Sequence, residues 1–451
     1  METNKKGFYR MVFTLMLPMI IQNLINVAVS SADVVMLEKM GETVLAASSL
    51  AGQVQFVLML ILFGLTSGAA ILTSQYWGKG DKKTIEKILG MSLRTSFLIA
   101  LFFVIVIWAF PFKVMSIFTS EQDVINEGVK YIKIVSISYL FFSITMVYLN
   151  ISRSVEKVVV ATVIYFNSFV INIILNYILI FGKLGFEPLG IRGAAIATLI
   201  SRIIELLVVL FHSAKINDVI KIKLRNIFSL KDKVIFKDFV KYSFPVTINE
   251  LLWGTGTAAN AAIIGHLGKA AASANSISQI TRQIATVIGF GIASSTSIII
   301  GKTIGEKDYE NAKKYSKKCI YLCLCAGFIG TLSVLAVRIF AIDFFNLSDT
   351  SKSYMSSMML VMSYFVFCQA INTTLIVGLF RAGGDVKFAL IIDLTTLWGC
   401  SILFGFLAAF VFKLSVPIVY IILMSDEVIK IPFVIAKYKK MTWLNNVTRE
   451  L

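Results

Sequence analysis

Charge is what this sequence has least of. Asp, Glu, Lys and Arg make up 15% of its 451 residues, where a soluble domain usually carries about 25%. A soluble chain of this length would split into two or three cores, each needing polar cover, and the cover is missing. Proline is scarce too, with six residues. No stretch alternates apolar and polar side chains, which excludes a spanning β-barrel and leaves helices. The five cysteines, Cys319, Cys323, Cys325, Cys368 and Cys400, all fall in apolar stretches. No His or carboxylate joins them into a metal set, so they read as small core residues. The phosphate-binding loop of nucleotide hydrolases is absent. Gly301-Lys302-Thr303 resembles its end, but the glycine required five residues earlier is Thr296. Neither a zinc-protease helix, a nucleophile elbow nor a selectivity-filter signature occurs. The chain is expected not to be an enzyme, to need no cofactor, and to use an ion gradient rather than its own ATP hydrolysis.

What the chain has is apolar length. Hydrophobic residues are 57% of the sequence, gathered into runs close to the roughly 20 residues that cross hydrocarbon. Twelve spans are predicted, near 11–37, 45–77, 95–112, 131–151, 158–181, 193–212, 243–264, 271–300, 319–342, 354–379, 388–412 and 416–436. The fold class is all-α and integral to the membrane, with no cleavable signal peptide visible. The predicted organisation is an N-lobe of six spans (1–212), a basic cytoplasmic linker (213–242) with an amphipathic helix, a C-lobe of six spans (243–436) and a cytoplasmic tail (437–451).

A net charge of +17 invites a nucleic-acid reading, but its distribution argues against one. With the N-terminus placed inside, the cytoplasmic side receives 30 of the 43 Lys and Arg and the outer side ten. That bias sets orientation, and anionic lipid accounts for the basic loops. A multi-pass protein of the plasma membrane with both termini cytoplasmic follows, its partners being the bilayer and small molecules, with no nucleic acid. A monomer is expected.

The two halves are one sequence written twice. A single constant offset sets Pro18 on Pro245, Gly41 on Gly268, Gly64 on Gly291, Gly78 on Gly305 and Asp81 on Asp308. No gap is needed from the first of these pairs to the last. Six spans per half give both halves the same orientation, so they are parallel repeats, with alternating access by rocking of the lobes.

Polar side chains inside spans are costly and point to function. Asn23, Asn26, Ser30 and Asp33 share one face of the first helix, and Pro18 makes a bend plausible. Ser168, Asn172 and Asn176 share a face of the fifth, with Thr198 on the sixth. If these faces meet, Asp33 sits in a polar pocket. There it could hold Na⁺ with Asn172 and Asn176, or poor solvation could make it bind a proton. Helix-to-helix hydrogen bonding is the plainer alternative. In the C-lobe, Glu250, Trp253 and Asn260 lie on the seventh span and Arg282 on the eighth, where Glu250 and Arg282 could pair. Gln55, on the second span, joins Asn23, Asn26, Glu250, Trp253, Asn260 and Arg282 as candidates for contact with substrate or proton. Asp426, Glu427 and Lys430 share a helix face and read as internally paired, as do Arg202 and Glu205. Trp77, Trp108 and Trp443 suit membrane interfaces.

Four stretches, in order and at the right spacing, resemble the multidrug and toxic compound extrusion (MATE) family. They are Pro18 to Gly41 with Asp33 between them, Gly78-Lys79-Gly80-Asp81, Gly190-Ile191-Arg192-Gly193-Ala194-Ala195-Ile196-Ala197-Thr198, and Arg381-Ala382-Gly383-Gly384-Asp385. The resemblance implies a V-shaped, two-lobed exporter of cationic amphipathic drugs in exchange for H⁺ or Na⁺. It is closer to the DinF-like than to the NorM-like branch. In the DinF-like branch the acid at the Asp33 position couples transport, grouped with positions that look like Asn172, Asn176 and Thr198. Asn176 departs from that pattern, which has Asp there, and this tilts the reading toward H⁺. Glu250 resembles the acid of the seventh span, while the NorM-like acid of the tenth span is missing around Ala370. A lipid-linked saccharide flippase of the same superfamily is the main alternative, and a non-transporting sensor a third.

Overall fold

The structure is a computed structural model and describes residues 5–229, 232–344 and 348–450, without the side chains of residues 5, 6, 30, 31 and 342–344. All of its regular elements among the described residues are helical. In order they are α1 (Lys5–Glu38), α2 (Glu42–Lys79), α3 (Lys82–Ala109), α4 (Pro111–Ser116), α5 (Gln122–Ser154), α6 (Val159–Phe181), α7 (Ile191–Phe211), α8 (Leu224–Phe228), α9 (Lys233–His266), α10 (Lys269–Gly305), α11 (Tyr309–Phe344), α12 (Asp349–Thr373), α13 (Val386–Asp393), α14 (Leu403–Phe406), α15 (Val416–Leu423) and α16 (Asp426–Lys440). Wider π-type turns extend α7, α12 and α13, and follow α14. Ten helices among the described residues are long and apolar enough to cross a membrane.

Two expected spans lie outside those ten. The seventh falls on α9, 34 residues long, whose middle carries Asn249 and Glu250. The twelfth is broken into α15 and α16 at Met424–Ser425. The Ser401 hydroxyl donates to the carbonyls of Ile422 and Leu423, so the last turn of α15 is satisfied from outside the helix. The chain then restarts with Asp426 and Glu427 in the first turn of α16, where acids suit the helix dipole.

The chain forms two compact units. The N-terminal unit holds Ile21–Thr73 and Gly80–Thr247; the C-terminal unit holds Met1–Ile20, Ser74–Lys79 and Ile248–Leu451. The divisions at Ile20/Ile21 and Thr247/Ile248 each fall two residues after a proline inside a helix, Pro18 of α1 and Pro245 of α9. The two divisions are therefore equivalent positions of the repeat.

The repeat is written into contacts as well. In the N-terminal unit, a Cβ on Gly64 would lie 2.4 Å from the Thr247 backbone; in the C-terminal unit, one on Gly291 would lie 2.8 Å from Ile20. Thr247 is the repeat partner of Ile20, so one close approach is made twice. The turns repeat too. Gly80 (φ +80°) and Lys307 (φ +60°) both adopt the left-handed conformation. Each is followed by a capping aspartate: Asp81 accepts from the Thr84 amide at 3.0 Å, and Asp308 from the Asn311 amide at 3.1 Å.

Each unit has its own apolar core. Leu58, Leu62, Ile132 and Tyr139 are fully buried in the N-terminal unit. Met355, Met359, Val419 and Tyr420 are fully buried in the C-terminal unit. Between the units' main helices in sequence, the region around α8 is pinned to α3 by Lys87–Asp232 (2.8 Å) and Lys223–Glu86 (2.5 Å). Of the cysteines, Cys319, Cys323 and Cys368 are buried as expected, whereas Cys325 is exposed and Cys400 half-buried. Trp443 departs from its expected interfacial place. It is fully buried, beside Tyr438 and Phe380.

Candidate functional site

In the N-terminal unit the polar faces of α1 and α6 meet. The buried stripe of α6 runs through Ser168, Asn172 and Asn176, four residues apart and so on one side of the helix. Asn176 Nδ2 donates to Asp33 Oδ1 at 2.6 Å and to Asn172 Oδ1 at 3.1 Å. Asn176 is fully buried, and its Oδ1 is buried with no hydrogen-bond partner. An acceptor oxygen left open beside a carboxylate is what a proton or a small cation would complete. The group offers one formal negative charge and a set of amide and carboxylate oxygens within a single turn of α6.

One turn and more along the same stripe, Ser168 Oγ donates to Glu205 Oε2 at 3.0 Å, and Arg202 approaches that oxygen at 2.5 Å. The Arg202 guanidinium also lies 4.8 Å from the Phe142 ring centroid. The local Arg202–Glu205 pair expected from spacing is present.

The other candidates of this unit differ in burial. Thr198 is half-buried on α7, and among the described residues no hydrogen bond joins it to the Asp33 group. Asn23 and Gln55 are half-buried and Asn26 is exposed; the side chain of Ser30 lies outside the described residues. A neighbour that the sequence reading passed over is tied in instead. Gln22, 2% exposed, donates to Val158 O (3.1 Å) and Thr162 Oγ1 (2.8 Å), joining α1 to the start of α6. A glutamine within an apolar run was the available signal.

The C-terminal unit holds a longer network. Glu250 pairs with Arg381 at 2.8 Å, not with Arg282. Arg282 turns to its own helix, donating to Gln279 Oε1 at 2.8 Å, and lies 5.8 Å from the Phe365 ring. The reason is reach: Arg381 follows the π-type extension of α12 and points its guanidinium at both Glu250 and Asn249, the latter at 3.5 Å. Asn249 donates to Asp393 Oδ2 at 2.6 Å, and Lys430 sits 2.8 Å from Asp393 Oδ1. Lys430 also contacts Asp426 (3.1 Å) and Glu427 (3.3 Å), the internal pairing expected from spacing. Asn249, Arg381 and Asp393 were not singled out for this role; their partners lie on helices far away in the chain, which spacing does not reveal. Trp253 packs half-buried against the core, and Asn260 is buried with its Oδ1 unpartnered.

Comparison with known proteins identifies the architecture. The MatE family model matches residues 18–178 and 245–407. The chain belongs to the MATE family. The two matched segments open on Pro18 and Pro245, so the family unit is the repeat read from the sequence. MATE relatives extend over nearly the whole chain. The uncharacterized transporter YisQ of Bacillus subtilis is 21% identical, covering 96% of this chain and 94% of its own. The probable multidrug resistance protein NorM of Thermotoga maritima is 24% identical, covering 92% and 89%. Among solved structures, a MATE protein in the bent conformation superposes with a TM-score of 0.86 at 18% identity, covering 97% of this chain and 96% of that one. A MOP superfamily transporter from Pyrococcus furiosus superposes at 0.85 and 18%, covering 96% of each. These likenesses establish the fold. MATE proteins are membrane transporters rather than enzymes.

Proposed function

We propose that this chain exports cationic amphipathic compounds by alternating access, in exchange for a cation bound at Asp33. The observation that carries the reading is the Asp33–Asn176–Asn172 group, a half-buried carboxylate with a buried, open amide oxygen beside it. A single carboxylate with neutral amide oxygens offers few ligands to a hard cation, whereas a proton needs only one oxygen, so the group suits H⁺ better than tightly bound Na⁺. With Asp33 protonated, its O–H needs an acceptor, and the Asn176 amide can supply Oδ1 by turning over. In the carboxylate form, Asn172 Oδ1 accepts from the same Nδ2. Thr198 is proposed to support the cation at Asp33, and Asn23, Asn26, Gln55, Trp253, Asn260, Glu250 and Arg282 are proposed contacts for substrate or proton along the transport route. The excess of Lys and Arg on alternate loops supports a plasma-membrane protein with both termini cytoplasmic.

The flippase reading ranks second. It is favoured by the fold shared with the Pyrococcus furiosus transporter, whose pocket is described as having reverse polarity suggesting a different function. In this chain the buried cations Arg381 and Lys430 and the half-buried Arg202 each lie against a carboxylate, which neutralises charge that a pyrophosphate would need.

The test is efflux of a cationic dye from everted vesicles with pH and Na⁺ gradients imposed separately. Dye movement driven by one gradient and lost in Asp33→Asn supports the assignment. An Asp33→Asn protein that exports like the wild type under both gradients would remove Asp33 from the coupling role.

A further inference from the structure

The network in the C-terminal unit does not balance. Its acids are Glu250, Asp393, Asp426 and Glu427; its bases are Arg381 and Lys430. Arg381 answers Glu250. Lys430 is then alone among three carboxylates, and its side chain is 3% exposed, with Asp426 at 7%, Glu427 at 8% and Asp393 at 14%. Arg282 of α10 acts on Asp426 and Glu427 without an ion-pair contact, and negative charge still remains in excess; buried excess charge is strongly disfavoured unless a cation or proton answers it. A metal ion is poorly placed to do so, because the Lys430 ammonium occupies the space shared by all three carboxylates. A proton needs no such space.

The geometry favours one acceptor. Asp393 has the shortest contact to Lys430, 2.8 Å, and a second donor in Asn249 Nδ2 at 2.6 Å. Asp426 follows at 3.1 Å, and Glu427 is farthest at 3.3 Å. The other oxygen of Glu427 turns away from the ammonium to α12, where Asn372 Nδ2 donates to Glu427 Oε2 and to its backbone carbonyl, both at 2.7 Å. Asn372 is 2% exposed and its Oδ1 is buried without a partner. This amide fits either form of the acid. Its NH₂ serves a carboxylate, and after a half-turn its carbonyl accepts from a carboxylic acid. The other groups that act on Glu427 are Cys368 on α12 and Asp393 on α13, with Arg282 on α10 interacting electrostatically.

We propose that Glu427 is a proton-binding site of the C-terminal unit, with Lys430 and Asn372 as its positioning residues. A proton delivered by hydronium, which leaves as water, forms the O–H bond at Oε2, Asn372 turns to accept it, and Lys430 remains an ammonium shared by Asp393 and Asp426. This site does not depend on the Asp33 reading, since it is defined by protonation of the resting protein rather than by transport.

The experiment is infrared difference spectroscopy of the purified full-length protein between alkaline and acidic buffer, following the carbonyl stretch of protonated carboxyl groups. The expected result is a buried carboxyl band that is lost in Glu427→Gln and retained in Asp33→Asn. In Lys430→Gln the same band should persist to higher pH, because the ammonium that favours the carboxylate is gone. In Asn372→Leu it should move in frequency, because its hydrogen-bond partner is gone. A band unchanged in Glu427→Gln overturns the proposal. Should that variant fail to fold, a band unmoved in Asn372→Leu overturns it equally. A band removed only by Asp33→Asn would leave the Asp33 reading standing and this one refuted.

Discussion

Gly78 and Gly305 are repeat partners, and each makes the same contact with the other's helix. A Cβ on Gly78 would lie 1.9 Å from the carbonyl oxygen of Lys302, and one on Gly305 would lie 1.9 Å from that of Gln75. Lys302 is itself the repeat partner of Gln75, so the contact is reciprocal and both sides sit within the C-terminal unit. Alanine usually favours a helix over glycine by about 1 kcal/mol. Here backbone blocks it, and overpacking costs about 1–3 kcal/mol. Gly78→Ala and Gly305→Ala should therefore both lower the melting temperature in detergent, by similar amounts. Gly52→Ala on α2, where no atom lies within 4 Å of an added Cβ, should raise or preserve it.

Arg381 is a buried cation whose loss should matter to folding. It is 3% exposed and within reach of both Glu250 and Asn249. Removing one partner of a buried ion pair costs about 3–5 kcal/mol because the other is left charged and alone. Arg381→Met should be strongly destabilising. Adding Glu250→Gln to it should recover part of the loss, a non-additivity read from thermal unfolding of the four proteins in a double-mutant cycle.

The reach of sequence reasoning was set by the range of each interaction. Apolar runs and the repeat of Pro18 and Pro245 are patterns along the chain, and the helical fold follows from them. Arg202–Glu205 and Lys430 with Asp426 and Glu427 are one helical turn apart, so spacing exposes them. Asp33 with Asn172 and Asn176 required two polar faces on helices distant in the chain to be matched; helical periodicity exposed each face, and the resemblance to the MATE family suggested that they meet. Glu250–Arg381 was hidden for the opposite reason. Arg282 offered a nearer cation on the next helix, and nothing along the sequence shows that it turns to Gln279 and Phe365 instead. The break at Met424 was hidden too, because it depends on the Ser401 hydroxyl taking carbonyls from another helix.

The segment after α16 is held more tightly than a tail would be. Trp443 is fully buried. Gln75 donates to Ala382 O at 2.7 Å and Asn445 O at 3.1 Å and accepts from the Val447 amide at 2.7 Å. Asn446 donates to Ile304 O at 2.9 Å. Gly383 leaves room for the Trp443 carbonyl, which an added Cβ would strike. Trp443→Ala should cost about 3–5 kcal/mol, as for other large core aromatics. A chain ending at Met441 should melt lower still, since Gln75 would lose partners as well. Limited proteolysis and thermal unfolding in detergent read both effects.

Asn176→Asp is the change that separates a proton from a sodium ion at the Asp33 group. The amide now donates to Asp33 at 2.6 Å. Replacing it with a carboxylate removes that donor and sets two acids within hydrogen-bond distance, where like charges cannot both stay ionised without a cation between them. If the resting protein couples to a proton at a single carboxylate, the wild type should show little stabilisation by Na⁺ in a thermal-shift assay. Asn176→Asp should gain a clear, concentration-dependent one, since a second carboxylate supplies the charge that a hard cation needs. At low pH the two acids can share a proton, so the Na⁺ effect should fade as pH drops. Asn176→Leu should gain nothing from Na⁺ and should weaken dye export, because the amide that bridges Asp33 to Asn172 is gone. A wild-type protein already stabilised strongly and selectively by Na⁺, with no further gain in Asn176→Asp, would place the coupling ion as Na⁺ and reverse the preference for H⁺.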